Sequence, residues 1–188
     1  MERKIDTTNI TEIKNNKKGS NDIGNYVMFH CGVPAKQRAS SGVTIVTRKD
    51  WKHKIQDYTW ISERIIETRI RELNKHFTIA EVYVPVERKE QDTEELYGEL
   101  QEYMDKIPEK ENIILTGDFN GRLGYHPILA CIGQYGKQIT NHNGATLRDI
   151  CAFNKTLNNK FTLQTQRHTQ IYVGGKRKQV NNRLHNYK

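Results

Sequence analysis

Short runs of apolar residues recur along the chain at spacings that predict β-strands. One alternates apolar with polar side chains, Ile66-Glu67-Thr68-Arg69-Ile70, and another is continuous, Ile113-Ile114-Leu115. Alternation is typical of a half-exposed strand, and a short continuous run bounded by polar residues is typical of a buried one. The segments that fit these patterns are 26–29, 42–46, 66–70, 77–84, 113–116 and 161–163.

Two segments instead have the spacing of amphipathic helices. Residues 92–107 place six apolar side chains on one face, and Pro108 ends the pattern. Residues 145–157 show a similar spacing after a Gly-rich loop, with Asn141 or Asn143 as the candidate helix cap. Strands that are followed by helix, strand and helix predict an α/β fold, a sandwich of two mixed β-sheets flanked by helices.

The most informative stretch is 112–121, Asn-Ile-Ile-Leu-Thr-Gly-Asp-Phe-Asn-Gly. Its apolar run predicts a buried strand, and its glycines permit the chain to turn out of the sheet. Asp118 and Asn120 then lie at the carboxyl end of the strand, the edge at which α/β proteins usually build sites. An Asp can bind a divalent cation or accept a proton, and an Asn can orient a phosphate or a water. The alternative is an Asx-turn without function, since Asp and Asn favour turns.

Composition narrows the class of protein. The 188 residues have the length of one domain, with 35% hydrophobic and 28% charged residues, and no apolar run approaches the roughly 20 residues of a membrane span. The start, Met-Glu-Arg-Lys, lacks the apolar region of a secretory signal. Three cysteines without metal-type spacing, Cys31, Cys131 and Cys151, favour reduced thiols. We therefore expect an intracellular protein, with the nucleus as one compartment open to it.

Basic residues are concentrated near the end of the chain. The formal net charge is +8, and residues 160–188 contain seven Lys or Arg and no Asp or Glu, which leaves +1 for residues 1–159. A basic segment attracts phosphate backbones without reading sequence. The same composition is equally typical of a solvated tail.

The stretch Gly117-Asp118-Phe119-Asn120 resembles the Gly-Asp-Phe-Asn motif of the endonuclease/exonuclease/phosphatase superfamily. Further stretches agree with the resemblance in order and spacing. They are Thr11-Glu12-Ile13-Lys14, Tyr26-Val27-Met28-Phe29, Tyr83-Val84-Pro85 and Asn141-His142-Asn143-Gly144. The likeness covers residues 11–165 and is closer to the endonuclease domains of LINE-type retrotransposons and to craniofacial development protein 2-like sequences. It implies a DNase I-like fold.

The resemblance also implies roles for four residues and a cofactor. Glu12 matches the metal-binding Glu, which predicts Mg²⁺, or Mn²⁺ in its place, as cofactor. Asp118 matches the residue that positions or deprotonates the attacking water, and Asn120 the residue that holds the phosphate. Tyr83 matches the Tyr that lies near the scissile phosphate. The implied substrate is DNA.

The chain departs from the family at both ends. Thr11 and Ile13 replace the residues that flank the metal-binding Glu, and no Ser-Asp-His occurs in the sequence. We therefore expect a truncated endonuclease domain that is weak or inactive. Two alternatives stay open: a non-catalytic relic that binds nucleic acid through its basic tail, and a phosphatase of the same fold. The expected division is a polar arm over 1–22, the endonuclease-like domain over 23–165, and the basic tail over 166–188.

Overall fold

A computed structural model describes residues 7–13, 18–31, 42–86, 90–124, 139–157 and 162–165. The strands are β1 (Thr7–Ile13), β2 (Gly19–Ile23), β3 (Tyr26–Cys31), β4 (Gly42–Arg48), β5 (Ile55–Trp60), β6 (Ile65–Glu72), β7 (Lys75–Tyr83), β8 (Asn112–Asp118) and β9 (Thr162–Thr165). The α-helices are α1 (Glu90–Asp105) and α2 (His142–Leu157), and a 3-10 helix spans Lys49–Lys54. Among the described residues, these elements account for the regular structure.

The strands form two sheets, which confirms the predicted α/β sandwich. The smaller sheet has the order β1-β4-β3-β2 with antiparallel pairing. The larger sheet has the order β5-β6-β7-β8-β9, antiparallel from β5 to β7 and parallel from β7 to β9. The run at 113–116 lies inside β8, between β7 and β9, as expected of a buried strand. Because β7 and β8 are parallel, their carboxyl ends meet at one edge of the sheet.

Two apolar cores lie on opposite faces of the larger sheet. One packs the sheet against the helices and contains Leu100, Leu115 and Leu147, all fully buried. The other fills the space between the sheets and contains Phe29, Ile45 and Ile66. Successive residues of a strand point to opposite faces, so β7 contributes Ala80 and Val82 to the first core and Tyr83 to the second.

The segment interpreted from sequence as a polar arm, 1–22, contains β1 (Thr7–Ile13) and most of β2 (Gly19–Ile23) of the smaller sheet. β1 pairs with β4, and β2 pairs with β3. Both are edge strands of that sheet, and the exposed face of an edge strand tolerates polar residues. A polar composition therefore did not prevent this segment from joining the sandwich.

Two of the three cysteines and both α-helices can be compared with the expectations from composition. Among the described residues, Cys31 and Cys151 are buried and form no disulfide, and Cys131 lies outside the described residues. The Cys31 thiol donates a hydrogen bond to the Ser62 carbonyl at 2.7 Å, and burial raises its pKa to about 11. Of the helices that the structure describes, none is long and apolar enough to span a membrane.

Candidate active site

The parallel register of β7 and β8 brings two of the predicted residues together. Tyr83 pairs with Asp118 where both strands end, and the Val84 amide donates to the Asp118 carbonyl at 2.9 Å. Asp118 is partly exposed, whereas Tyr83 is buried and packs in the core between the sheets. Tyr83 therefore has the packing role of a tyrosine that caps the core, at a position next to Asp118.

Asn120 joins this pair through the turn that follows β8. Its backbone has a left-handed φ of 45°, uncommon for a residue other than glycine. Its amide N–H donates to Asp118 Oδ1 at 3.1 Å, so the Asx-turn considered as the alternative is present. In addition, Asn120 Nδ2 donates to the Val84 carbonyl at 2.8 Å, which ties the turn to the end of β7. Side-chain and backbone bonds together thus fix Tyr83, Asp118 and Asn120 at one edge of the sheet.

The start of α2 holds the same turn from the other side. Asn141 Oδ1 accepts hydrogen bonds from the amides of Gly144, at 3.0 Å, and Arg122, at 2.6 Å, while Asn141 Nδ2 donates to the Asn120 carbonyl at 3.0 Å. Asn141 is therefore the helix cap, and it also clamps the turn. Asn143 is fully buried and donates to the Pro85 carbonyl at 2.9 Å. The two Asn residues of the Asn-x-Asn-Gly motif thus support the site without lining it.

Replacing Asn141 with alanine should lower the free energy of unfolding by about 1–2 kcal/mol, because a helix cap and a loop clamp are lost together. Chemical denaturation of the purified variant measures the change. The control is Asn74→Ala, the same substitution at an exposed turn between β6 and β7. Equal stabilities for the two variants would contradict the clamp.

Glu81 lies two residues before Tyr83, on the same face of β7, and was not among the predicted site residues. It is completely buried between the sheets, and neither carboxylate oxygen has a hydrogen-bond partner among the described residues. Burial, and then the negative charge of Asp118, raise the pKa of Glu81 well above its usual value. The Thr116 hydroxyl lies opposite Glu81 on β8 and lowers this pKa, although the two side chains do not form a hydrogen bond. The sequence signal was a Glu on the inward face of a strand, beside Ile79 and Tyr83.

The smaller sheet approaches the site through β1. Asn9 Nδ2 donates to Thr116 Oγ1 at 2.7 Å, a contact between the sheets two residues before Asp118. Glu12 follows three residues later in β1, within the irregularity between Ile10 and Ile13 in the pairing of β1 with β4. The Glu12 side chain lies outside the described part of the structure, so its role as metal ligand stays a prediction.

A hydrated magnesium site needs few protein ligands, and the carboxylate of Asp118 is described at this edge. Among the described residues, no three His, Cys, Asp or Glu side chains cluster closely enough to hold a metal ion. Mg²⁺ needs fewer protein ligands, since it keeps several waters and uses one or two carboxylates with substrate oxygens. The partly exposed Asp118 places one carboxylate at this edge, as the residue predicted to position the water, and Glu12 is the predicted metal ligand. The basic tail over 166–188 lies outside the described residues.

Comparisons with known proteins find relatives in sequence and in structure. The chain is 26% identical over 157 residues to craniofacial development protein 2 from Bos taurus, and 24% identical over 152 residues to the same protein from Tragulus javanicus. These matches cover 82% and 80% of this chain, which spans about a quarter of the length of the curated relatives it matches. The resemblance to craniofacial development protein 2-like sequences is therefore confirmed.

One solved structure with a similar chain is an endonuclease/exonuclease/phosphatase family protein from Leptotrichia buccalis C-1013-b. It is 18% identical, with a TM-score of 0.44, and the match covers 61% of this chain and 54% of that one. No family model matches the chain.

Proposed function

We propose that this chain is a Mg²⁺-dependent phosphodiester hydrolase domain that cuts DNA, of the retrotransposon endonuclease type. The observation that supports the proposal is the arrangement of Tyr83, Asp118 and Asn120 at the carboxyl edge of β7 and β8. Asn120 Nδ2 bonds the Val84 carbonyl at 2.8 Å, beyond what an Asx-turn alone requires. The turn is therefore bound to the strand that carries Tyr83, as a site built from both strands needs.

Glu12 and Asp118 would each have a separate role in phosphodiester hydrolysis. When bound, Mg²⁺ would stabilise negative charge on the phosphate, with Glu12 and waters as ligands, and Mn²⁺ accepts the same oxygen ligands. Asp118 would orient the attacking water and accept its proton while the new P–O bond forms and the opposite P–O bond breaks. The leaving oxygen would then take a proton from solvent.

Asn120 and Tyr83 would hold the phosphate during this step. An amide nitrogen carries two hydrogens, and Asn120 Nδ2 directs one to the Val84 carbonyl, so the other can donate to a phosphate oxygen. The Tyr83 hydroxyl is assigned to the charge that develops on the phosphate. Both assignments follow the family motif, and the fixed turn supplies the rigidity that they require.

A plasmid assay tests the proposal. The parent chain should nick supercoiled plasmid slowly in Mg²⁺, as expected of a weak endonuclease, and should stop when EDTA is added. Asp118→Asn should slow nicking further, by at least about 10²-fold, because the proton acceptor is lost. Asn keeps the oxygen that accepts the Asn120 amide, so the turn should survive. The matched control is Asp149→Asn on the exposed side of α2, which should nick at the parent rate. Equal rates for the parent and Asp118→Asn would refute the proposal.

A second candidate function is a non-catalytic domain that binds nucleic acid through its basic tail. It is favoured by the seven basic and no acidic residues over 160–188. Salt-sensitive DNA binding without any Mg²⁺-dependent cleavage would support this candidate. Cleavage of a small phosphomonoester, without nicking of plasmid, would instead support a phosphatase.

A further inference from the structure

We propose that Arg64 binds a phosphate of the DNA backbone beside the candidate site, an inference that rests on the function proposed above. Arg64 directly precedes β6, and β6 is antiparallel to β7 with Ile65 opposite Val82. The start of β6 therefore lies at the carboxyl end of β7. The Tyr83 amide donates to the Arg64 carbonyl at 3.0 Å, which fixes the backbone of Arg64 next to the residue that pairs with Asp118.

The Arg64 guanidinium lies over the ring of Tyr83, a residue of the site. Its guanidinium carbon lies 5.7 Å from the centre of the Tyr83 ring, within the range of a cation–π contact. A cation–π contact is made with the face of the ring, and it leaves N–H groups among the five of the guanidinium able to donate hydrogen bonds to another partner. The contact thus places the guanidinium of Arg64 beside Tyr83 and leaves it able to donate hydrogen bonds.

The other contacts of Arg64 leave that donor capacity largely unused. Arg64 Nε forms an ion pair with Glu63 Oε1 at 3.7 Å, a separation that is too long for a hydrogen bond. No described residue accepts a hydrogen bond from the guanidinium, although only 16% of the side chain is exposed. A largely buried guanidinium with unused N–H groups is stabilised when an anion accepts hydrogen bonds from it. The planar fork of Arg suits two oxygens of a phosphate.

A structural role is the competing explanation, in which Arg64 covers the Tyr83 ring and stabilises the fold. The two roles predict different measurements. A phosphate contact contributes to the salt dependence of DNA binding, because each neutralised phosphate releases counterions. A packing contact contributes to the midpoint of unfolding and leaves the salt slope unchanged.

The experiment measures binding of a DNA duplex to the full chain in EDTA, over a series of salt concentrations, so that cleavage does not contribute. Arg64→Gln should weaken binding about 10-fold and reduce the log–log salt slope by about 1. Arg64→Lys should keep the slope and lose part of the affinity, since it retains the charge without the fork. The matched control is Arg71→Gln, the same charge change at an exposed position of β6, which should leave the slope unchanged.

The outcomes separate this proposal from the proposed function. An unchanged slope in Arg64→Gln, an equal loss in Arg71→Gln, or no DNA binding by the parent would overturn the Arg64 contact. A lower unfolding midpoint for Arg64→Gln with an unchanged slope would assign Arg64 to packing. Binding that depends on Arg64 in a chain that never nicks plasmid would support the contact and refute the hydrolase. Nicking by a parent whose DNA binding does not depend on Arg64 would support the hydrolase and refute the Arg64 contact.

Discussion

Replacing Gly117 with alanine should leave little or no folded protein. A Cβ atom at this position would lie 1.8 Å from the Val82 carbonyl oxygen, and the glycine has a φ of +146°, which side-chain-bearing residues rarely adopt. The clashing atom belongs to the backbone of β7, which is held by the ladders to β6 and β8 on either side, so it cannot move aside cheaply. We expect a loss of about 4 kcal/mol or more in the free energy of unfolding, a large share of the stability of a domain.

Gly98→Ala supplies the matched control for this prediction. Gly98 lies in α1, and a Cβ added there would meet no atom within 4 Å. The same substitution should therefore stabilise the helix by up to about 1 kcal/mol, since alanine has the higher helix propensity. Soluble yield and urea denaturation measure both variants. A Gly117→Ala protein that unfolds at the parent midpoint would show that β8 tolerates a side chain beside Val82.

The sequence predicted best the elements whose apolar spacing is regular. Residues 92–107 showed a complete helical face, and the structure has α1 there, beginning at Glu90. In contrast, β5 was not among the segments with strand spacing, and its pairing with β6 shifts register between Ile55 and Asp57. The inward residues Ile55, Tyr58 and Trp60 therefore do not follow the period of two that identifies a strand. A bulge depends on the partner strand, which local sequence does not reveal.

The residues of the candidate site also differ in whether the sequence could identify them. Tyr83, Asp118 and Asn120 could be selected because each lies in a recognisable motif, and their proximity follows from the parallel pairing of β7 with β8. Arg64 lies in no motif, and its place beside Tyr83 depends on the antiparallel register of β6. Tertiary pairing, which sequence patterns do not encode locally, therefore decided which additional residues reach the site.

Glu81 lies beneath that site as a buried carboxyl group without a hydrogen-bond partner among the described residues. Its pKa is raised well above the usual value of 4.5 by burial and by the nearby charge of Asp118. A raised pKa in the folded state means that folding favours the protonated form. At a pH below the pKa that Glu81 has in the unfolded state, its ionisation therefore does not lower the free energy of unfolding. As the pH rises above that value, stability falls, until the pH reaches the raised folded pKa.

Glu81→Gln should therefore stabilise the protein increasingly as the pH rises from about 4.5. The parent should lose stability relative to the variant by about 1.4 kcal/mol per pH unit across this window, because the variant has no proton to release. Urea denaturation of both proteins from pH 4 to pH 8 measures the difference, in which the other titrating groups largely cancel. Glu102→Gln, at an exposed position of α1, controls for the loss of one carboxylate. A stability difference that stays constant over this range, or that shrinks as the pH rises, would show that the Glu81 carboxyl is not held in its protonated form.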